Sequence, residues 1–393
     1  MLFNYITKGI MKMNLKRIIS GALAAIAAIS LSACGSTPKT EEKQAGIGDN
    51  YVLKVGETQG ALCHAPLQVA MEKGYLDEAG INWQRVDFGS SDIQAALGAG
   101  TIDCGFGLVG KFIQPIENGL NMVITSGMHT GCTKILVRPD SGIKTIADLK
   151  GKNIGVSSLA SSEAVTAKRA LYKAGVNISA DGGDVTFSVY STADQPVALM
   201  NGAVDAISTP DPVATQAAEE YGLVTLLDTA ATEPYASEYC CVSFVSTELA
   251  EKHPEIAKAF TDAVLKASAW VAEHPDETAA LQIEKEYVSG TQENNAKILK
   301  SYKFIPSVQG GYDALVNVSK DLQDIGILKK ETDVDALVER SFKFFDGLPD
   351  SYSADGDTFT PVSEPAKTDV NAIKAENSAA TLDNSADKPD CCG

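Results

Sequence analysis

Positive charge is scarce in this 393-residue chain: 33 lysines and arginines face 51 aspartates and glutamates, for a formal net charge of −18. Neutralising phosphates takes concentrated Lys and Arg. Nothing here forms such a patch, which excludes nucleic acid and anionic lipid headgroups as partners. The balance says little about a small solute, because an acidic exterior can coexist with a locally positive cleft. Long apolar runs are missing too. Beyond residue 50 no segment approaches the roughly 20 apolar residues of a membrane-spanning helix, so the body of the chain is expected to be soluble.

At the N-terminus, Lys12, Lys16 and Arg17 precede an uncharged run from Ile18 to Leu31 that is short for an anchor. This is the pattern of a signal peptide, residues 1–33. Leu31-Ser32-Ala33-Cys34 resembles the bacterial lipobox, which implies that Cys34 is diacylated and holds the protein on the outer face of a membrane. Residues 34–50 are polar and read as a flexible tether. The acidic stretch 347–393 has few large apolar residues and is expected to be disordered. Roughly 300 residues remain, which suits two lobes better than one core.

Those residues alternate β-rich runs with helical patterns, the signature of an α/β class with parallel strands and crossover helices. Strands are predicted at Tyr51–Glu57, Trp83–Phe88, Ile102–Gly105, Met122–Ser126, Ile135–Arg138, Asn153–Val156, Val185–Tyr190, Ala206–Ser208, Leu223–Leu227 and Cys241–Val245. Helices are predicted between them at Pro66–Ala79, Asp92–Ala99, Ser162–Ala174, Gln195–Asn201 and Asp211–Tyr221. From Pro254 onward the pattern is helix after helix, as expected of a layer packed around a finished sheet. Gln94–Asp103 and Pro196–Asp205 echo one another: a helix, a glycine at its end, then an aspartate opening a strand. In open α/β sheets ligands lie beyond the carboxyl ends of the strands, so the loops after the strands are where chemistry is sought.

Five segments carry a family resemblance: His64–Leu76, Ala99–Gly107, Ser141–Val156, Asn201–Ala206, and Cys240–Ser246 with His253-Pro254-Glu255 following. Over about residues 52–345 the chain resembles the nitrate/sulfonate/taurine-type substrate-binding proteins, a superfamily shared with thiamine-pyrimidine precursor binding proteins and synthases. The resemblance implies a two-lobed type II periplasmic-binding-protein clamshell with C-terminal helices. Lobe 1 would comprise 51–138 and 242–346, and lobe 2 would comprise 139–241. It further implies a monomer that binds a small molecule between the lobes and delivers it to an ABC transporter permease, without catalysis and with no required cofactor. The alternative is a thiamine-pyrimidine precursor binder or a synthase-like enzyme with a His/Cys metal site. The synthases' run of cysteines is only two residues here, and no lysine stands near Cys63, which follows Gln59-Gly60-Ala61-Leu62.

Within these segments Thr145, with Asp148 three residues on, reads as a capped short helix. Ser158, Ser161 and the residues around them open a helix after a strand, either as a polar-ligand cradle or as a plain serine cap. Asp211 reads as a helix cap before Pro212 and as a candidate ligand contact. Phe106 is either a stacking surface for a planar ligand or core. His253 and His274 are expected at the surface. Of eight cysteines, Cys34 is assigned to lipid and Cys391-Cys392 to the tail. The family pattern places the other five, Cys63, Cys104, Cys132, Cys240 and Cys241, along the cleft. None of their spacings is a recognised zinc motif, so three readings stand open: a soft-metal or thiophilic-ligand site of Cys63, His64, Cys240 and Cys241, buried inert thiols, or a cleft disulfide.

Overall fold

The computed structural model describes residue 47 and residues 50–362 except 90–92 and 180–181; all of them belong to one compact unit, Gln44–Gly393. The signal peptide, Cys34, nearly all of the tether, and Cys391-Cys392 lie outside the described residues.

Two five-stranded sheets organise the chain. The first holds β1 (Leu53–Thr58), β2 (Trp83–Phe88), β3 (Cys104–Leu108), β4 (Met122–Thr130) and β10 (Tyr239–Ser246), in the order β2-β1-β3-β10-β4. The second holds β5 (Thr133–Val137), β6 (Asn153–Val156), β7 (Thr186–Val189), β8 (Ala206–Pro210) and β9 (Val224–Asp228), in the order β7-β6-β8-β5-β9. In each sheet three strands run parallel and one antiparallel strand sits between the third and the outer strand. That antiparallel strand is the one that has just crossed from the other lobe: β5 enters the second sheet and β10 returns to the first.

This topology corrects the expected lobe boundaries. Thr133–Val137 pairs with β8 and β9, so the first crossing lies near residue 131 and not after 138. Similarly Tyr239 and Cys241 pair with β4, so lobe 1 resumes before 242. The helix predicted over Pro66–Ala79 is two helices, Ala65–Glu72 and Tyr75–Glu78, because Gly74 adopts φ +81° between them.

The sequence echo has a physical basis. Asp103 and Asp205 each turn back on the strand that the next strand will join, β1 and β6 respectively: Asp103 Oδ2 accepts from Lys54 N and Asp205 Oδ2 from Asn153 N, both at 2.9 Å. Each aspartate's N–H in turn donates to the carbonyl of the same partner at 2.8 Å. One carboxylate thus fixes the register at which a third strand joins each sheet.

Side chains alternate across the second sheet. Ile135, Val137, Ile154 and Val156 meet helix Ser162–Lys173 on one face, while Leu136 and Ile207 meet Leu199 and Ala214 on the other. Burial on both faces accounts for the apolar runs of the inner strands β5 and β6, while the edge strands β7 and β9 are partly exposed. Around the first sheet pack helices Ala65–Glu72 and Pro254–Glu273, with Val308–Asp324 and Val334–Ser341 on the β4 side. Among the described residues no helix is long and apolar enough to cross a membrane.

Residues expected in a disordered tail continue the fold. β11 (Tyr352–Asp355) and β12 (Thr358–Pro361) form an antiparallel hairpin on helix Pro254–Glu273. Tyr352 Oη donates to Asp262, Tyr75 Oη donates to Asp357 at 3.1 Å, and the rings of Tyr75 and Phe359 meet edge to face at 5.4 Å. Residues 363–393 lie outside the described residues.

Candidate functional site

The two crossings between the lobes touch. Gly131, between β4 and β5, has φ +74°, and a Cβ placed there would sit 2.4 Å from the Cα of Ala230, in the stretch leading to β10. Only glycine fits, for conformation and for space. The Thr229 hydroxyl accepts from the N–H groups of Cys132 and Thr133 at 3.0 and 2.9 Å and donates to the Thr133 carbonyl. Lys134, buried beside this seam, pairs with Asp211 at 3.2 Å and Asp228 at 3.0 Å.

At the same seam four thiols gather. Cys132 Sγ lies 3.3 Å from Cys240 Sγ, and Cys240 Sγ lies 3.7 Å from His129 Nδ1. Cys63 Sγ, Cys241 Sγ and a ring nitrogen of His129 lie within 4.8 Å of one another. Cys63 also neighbours Cys132. All five inner cysteines are free thiols. Burial, and next the hydrogen bond with Cys132, push the Cys240 thiol well above its ordinary range, so it is neutral near pH 7. The His129 ring is held by stacking on Tyr302, with centroids 5.2 Å apart and planes 12° apart, and by Phe304 at 5.1 Å.

The imidazole among the thiols is therefore His129 and not His64. His64 faces the wholly buried Glu57, with Nδ1 3.8 Å from Oε2, and its ring lies 6.0 Å from that of Phe106. Glu57 also accepts from Gln68 Nε2 at 2.7 Å, and Gln68 accepts from Gln282 at 2.6 Å. His129 carries a weak signal in the sequence, three residues before Cys132 and two from a glycine on either side. What placed it was the pairing of β4 with β10, which sets His129 opposite Cys241.

The remaining predicted residues divide. Cys104 and Phe106 are fully buried in β3; the Cys104 thiol points at the Lys54 carbonyl, apart from the thiol cluster, and Phe106 belongs to the core. Ser161 caps helix Ser162–Lys173 by accepting from Ala164 N at 3.3 Å, and its own hydroxyl donates to the Ser158 carbonyl, while the Ser158 side chain is exposed. Asp211 accepts from Thr215 N at 2.9 Å and from Lys134, so both carboxylate oxygens are engaged. The helix after it begins at Val213, a residue later than expected, and Asp211-Pro212 is cis. Thr145 and Asp148 form the expected capping box. His253 and His274 are half-buried, against Tyr51 and Trp270 respectively.

A pocket opens between the lobes beside the thiols. Leu108, Val109 and Gly110 line it at the start of helix Val109–Glu117 in one lobe, and Ser162 and Thr166 line it at the start of helix Ser162–Lys173 in the other, with Cys240 at its floor. Arg169 closes one side. Its guanidinium grips Glu238 with two bonds of 2.6 and 2.8 Å and reaches Asp321 of helix Val308–Asp324 at 2.8 Å. Burial alone lowers the Arg169 pKa; Glu238 and Asp321 more than offset it, so the side chain is always charged. One ionic bridge thereby joins the second lobe, the return crossing and the first lobe. Two helix starts and a soft donor thus meet at one narrow cavity of about 30 Å³, room for a water or two.

Comparison with known proteins agrees with this architecture. A family model described as NMT1/THI5 like matches residues 62–278. A protein of Bacillus subtilis (strain 168) named for binding aliphatic sulfonates is 29% identical over 342 residues, covering 82% of this chain and 95% of that one. The structure of the periplasmic aliphatic sulphonate binding protein SsuA from Escherichia coli superposes with a TM-score of 0.61 at 19% identity, covering 81% of this chain and 98% of that one. The periplasmic nitrate-binding protein NrtA from Synechocystis PCC 6803 gives 0.62 at 16% identity, covering 82% and 97%. At these identities the structural likenesses show the fold, that of periplasmic binding proteins.

Proposed function

The chain belongs to the NMT1/THI5-like family, and from that membership we propose that it is the extracytoplasmic solute-binding component of an ABC importer, acting by capture and release without chemistry. The observation that carries this reading is the interlobe pocket. Its walls come from both lobes, and the Arg169 bridge spans the two. Ligand affinity then includes the free energy of closure, and a permease can tell loaded from empty protein by shape. The starts of helices Val109–Glu117 and Ser162–Lys173 supply partial positive charge in an acidic chain, which suits a small solute with an anionic head group such as a sulfonate or nitrate. Glu163, which accepts from the Ser157 hydroxyl in the first turn of the second helix, offsets part of that charge and favours a weakly charged or polar head group there. The thiols in the wall suit a thiophilic or metal-containing solute as a second class. The protein works as a monomer held to the membrane by lipid on Cys34.

Purified mature protein is titrated with aliphatic sulfonates, taurine, nitrate and thiamine-pyrimidine precursors while melting is followed. The true ligand raises stability by RT ln(1 + [L]/Kd), about 2.7 kcal/mol at a hundredfold excess over Kd, and is recovered unchanged. Conversion of the ligand with turnover sinks the binding-only reading in favour of a synthase-like enzyme. For the anchor, Cys34→Ala moves the protein from the membrane to the soluble exported fraction; membrane retention of that variant refutes lipid anchoring.

A further inference from the structure

The donors at the lobe seam are all of one chemical kind. We propose that Cys63, Cys241 and His129, which lie within 4.8 Å of one another, together with one of the adjacent thiols Cys132 and Cys240, form a four-coordinate resident site for one thiophilic closed-shell cation, with Zn2+ as its probe. The spacing fits first-row tetrahedral coordination. With metal–sulfur bonds of about 2.3 Å, the edge of a regular tetrahedron is roughly 1.6 times as long, or about 3.8 Å. The separations here are 3.3 Å for Cys132 to Cys240 and at most 4.8 Å among Cys63, Cys241 and a ring nitrogen of His129, with Cys240 3.7 Å from Nδ1 of the same ring. Cys63, Cys241 and His129 thus stand no more than about 1 Å beyond that edge, and Cys132 and Cys240 stand slightly inside it.

Donor type narrows the occupant. Sulfur and imidazole without a carboxylate select soft and borderline ions and reject Mg2+ and Ca2+, which need oxygen cages. The histidine is held as a ligand rather than packed as an ordinary core ring. Tyr302 and Phe304 fix its plane, the Thr130 carbonyl lies 3.3 Å from Nδ1, and Nε2 is fully buried without a partner. An outer-shell carbonyl that fixes the ring of a metal-binding histidine is the usual support for such a ligand.

The position says what the ion does. His129 ends β4, Cys132 precedes β5, and Cys240 and Cys241 begin β10, so four of the five donors sit on the two crossings between the lobes. Cys63 comes from the loop after β1. A cation shared among them ties the crossings together and limits how far the lobes open. That consequence rests on the clamshell reading of the cleft; the site itself does not.

The test uses full-length mature protein, reduced, stripped of metal and kept anaerobic, titrated with Zn2+ alone against a chromogenic chelator. One equivalent is bound tightly by the wild type, and Cys63→Ser with Cys241→Ser weakens binding by about a hundredfold or more, since a hydroxyl does not replace a thiolate. Cys104→Ser, which alters a buried thiol outside the cluster, binds as the wild type does. Co2+ in the wild type gives thiolate-to-metal charge transfer and the intense visible bands of a tetrahedral site, a readout that does not depend on any variant folding. Absence of a tight equivalent in the wild type overturns the proposal. So does equal binding by the double variant, or a Cys132–Cys240 disulfide in the purified unreduced protein together with no metal uptake after reduction. Solute titrations on the same samples separate the two ideas: a protein that holds Zn2+ but no solute fails only the importer reading, and one that holds solute but no Zn2+ fails only this one.

Discussion

At the scale of single residues, two side-chain environments make measurable demands. Burial, and next the charge of Asp103, push the Cys104 thiol well above its ordinary pKa. A thiol whose folded pKa is raised keeps its proton in the native state while the unfolded chain loses it from about pH 8.5 upward. The stability contribution is therefore whole below that pH and is lost as pH rises through and beyond it. In metal-free protein, between about pH 8.5 and 10, the stability of the wild type should fall more steeply than that of Cys104→Ala by about 1.4 kcal/mol per pH unit. Urea midpoints measured across that window check it, and parallel slopes would show that the thiol ionises freely in the native state. Gly131 makes a second demand. Gly131→Ala combines a left-handed backbone with a Cβ driven into the Ala230 backbone, and should cost at least about 3 kcal/mol. Gly151→Ala, at φ +77° with nothing within 4 Å, should cost only about 1 kcal/mol. Equal melting of the two variants would mean that the crossings do not touch in solution.

At the scale of elements, the C-terminal hairpin is a fastener on the helical layer, although its composition reads as tail. Ending the chain after Ser351 keeps Asp350, whose carboxylate accepts from Ser307 and Gln309 N at the start of helix Val308–Asp324, and, compared with a chain ended after Val362, removes only β11 and β12. The uncovering of Tyr75 and the loss of Phe359 and Tyr352 should lower stability by about 2 kcal/mol with solute affinity unchanged; an unaltered melt would return these residues to the tail. This element was half legible. Gly356-Asp357, with glycine first, suits a two-residue hairpin turn, and Gly356 takes φ +56° between the paired Asp355 and Thr358, but two aromatic residues among many polar ones conceal the strands. The strands of both sheets and the Asp103/Asp205 echo were legible because β-branched runs and helix-end glycines are local signals. Which sheet β5 and β10 join was not, because it depends on partners far along the chain. The same pairing brings His129 into the thiol cluster and leaves His64 with Glu57, an arrangement that no spacing along the sequence encodes. Cysteine, by contrast, is conspicuous in any sequence, and four of the five inner cysteines do converge.

At the scale of the whole molecule, the interest lies in how closure is balanced. Arg169 sits on the second lobe, is buried, and holds Glu238 and Asp321 with the geometry of a planar fork on carboxylates; Lys173 adds a weaker exposed contact to Asp321 at 3.3 Å. Removing one member of a buried ionic network strands its partners, a penalty of about 3–5 kcal/mol. Here the molecule has a cheaper response than bearing that cost: the lobes can part and let water reach both carboxylates. Arg169→Met retains the side chain's length and apolar stem while removing the charge. It should therefore shift the unliganded protein toward an open form and weaken solute binding by about a hundredfold, while each lobe, whose core does not include Arg169, stays folded. Small-angle scattering should show a larger radius of gyration for the variant than for the wild type, converging again at saturating ligand. Lys173→Met, at the solvent edge of the same bridge, should change affinity by less than about fivefold, as an exposed pair contributes at most about 1 kcal/mol. A variant at Arg169 that keeps both the compact radius and wild-type affinity would show that apolar packing of helix Ser162–Lys173 on helix Val109–Glu117, where Gly110 lets Val165 come close, is sufficient to hold the lobes shut.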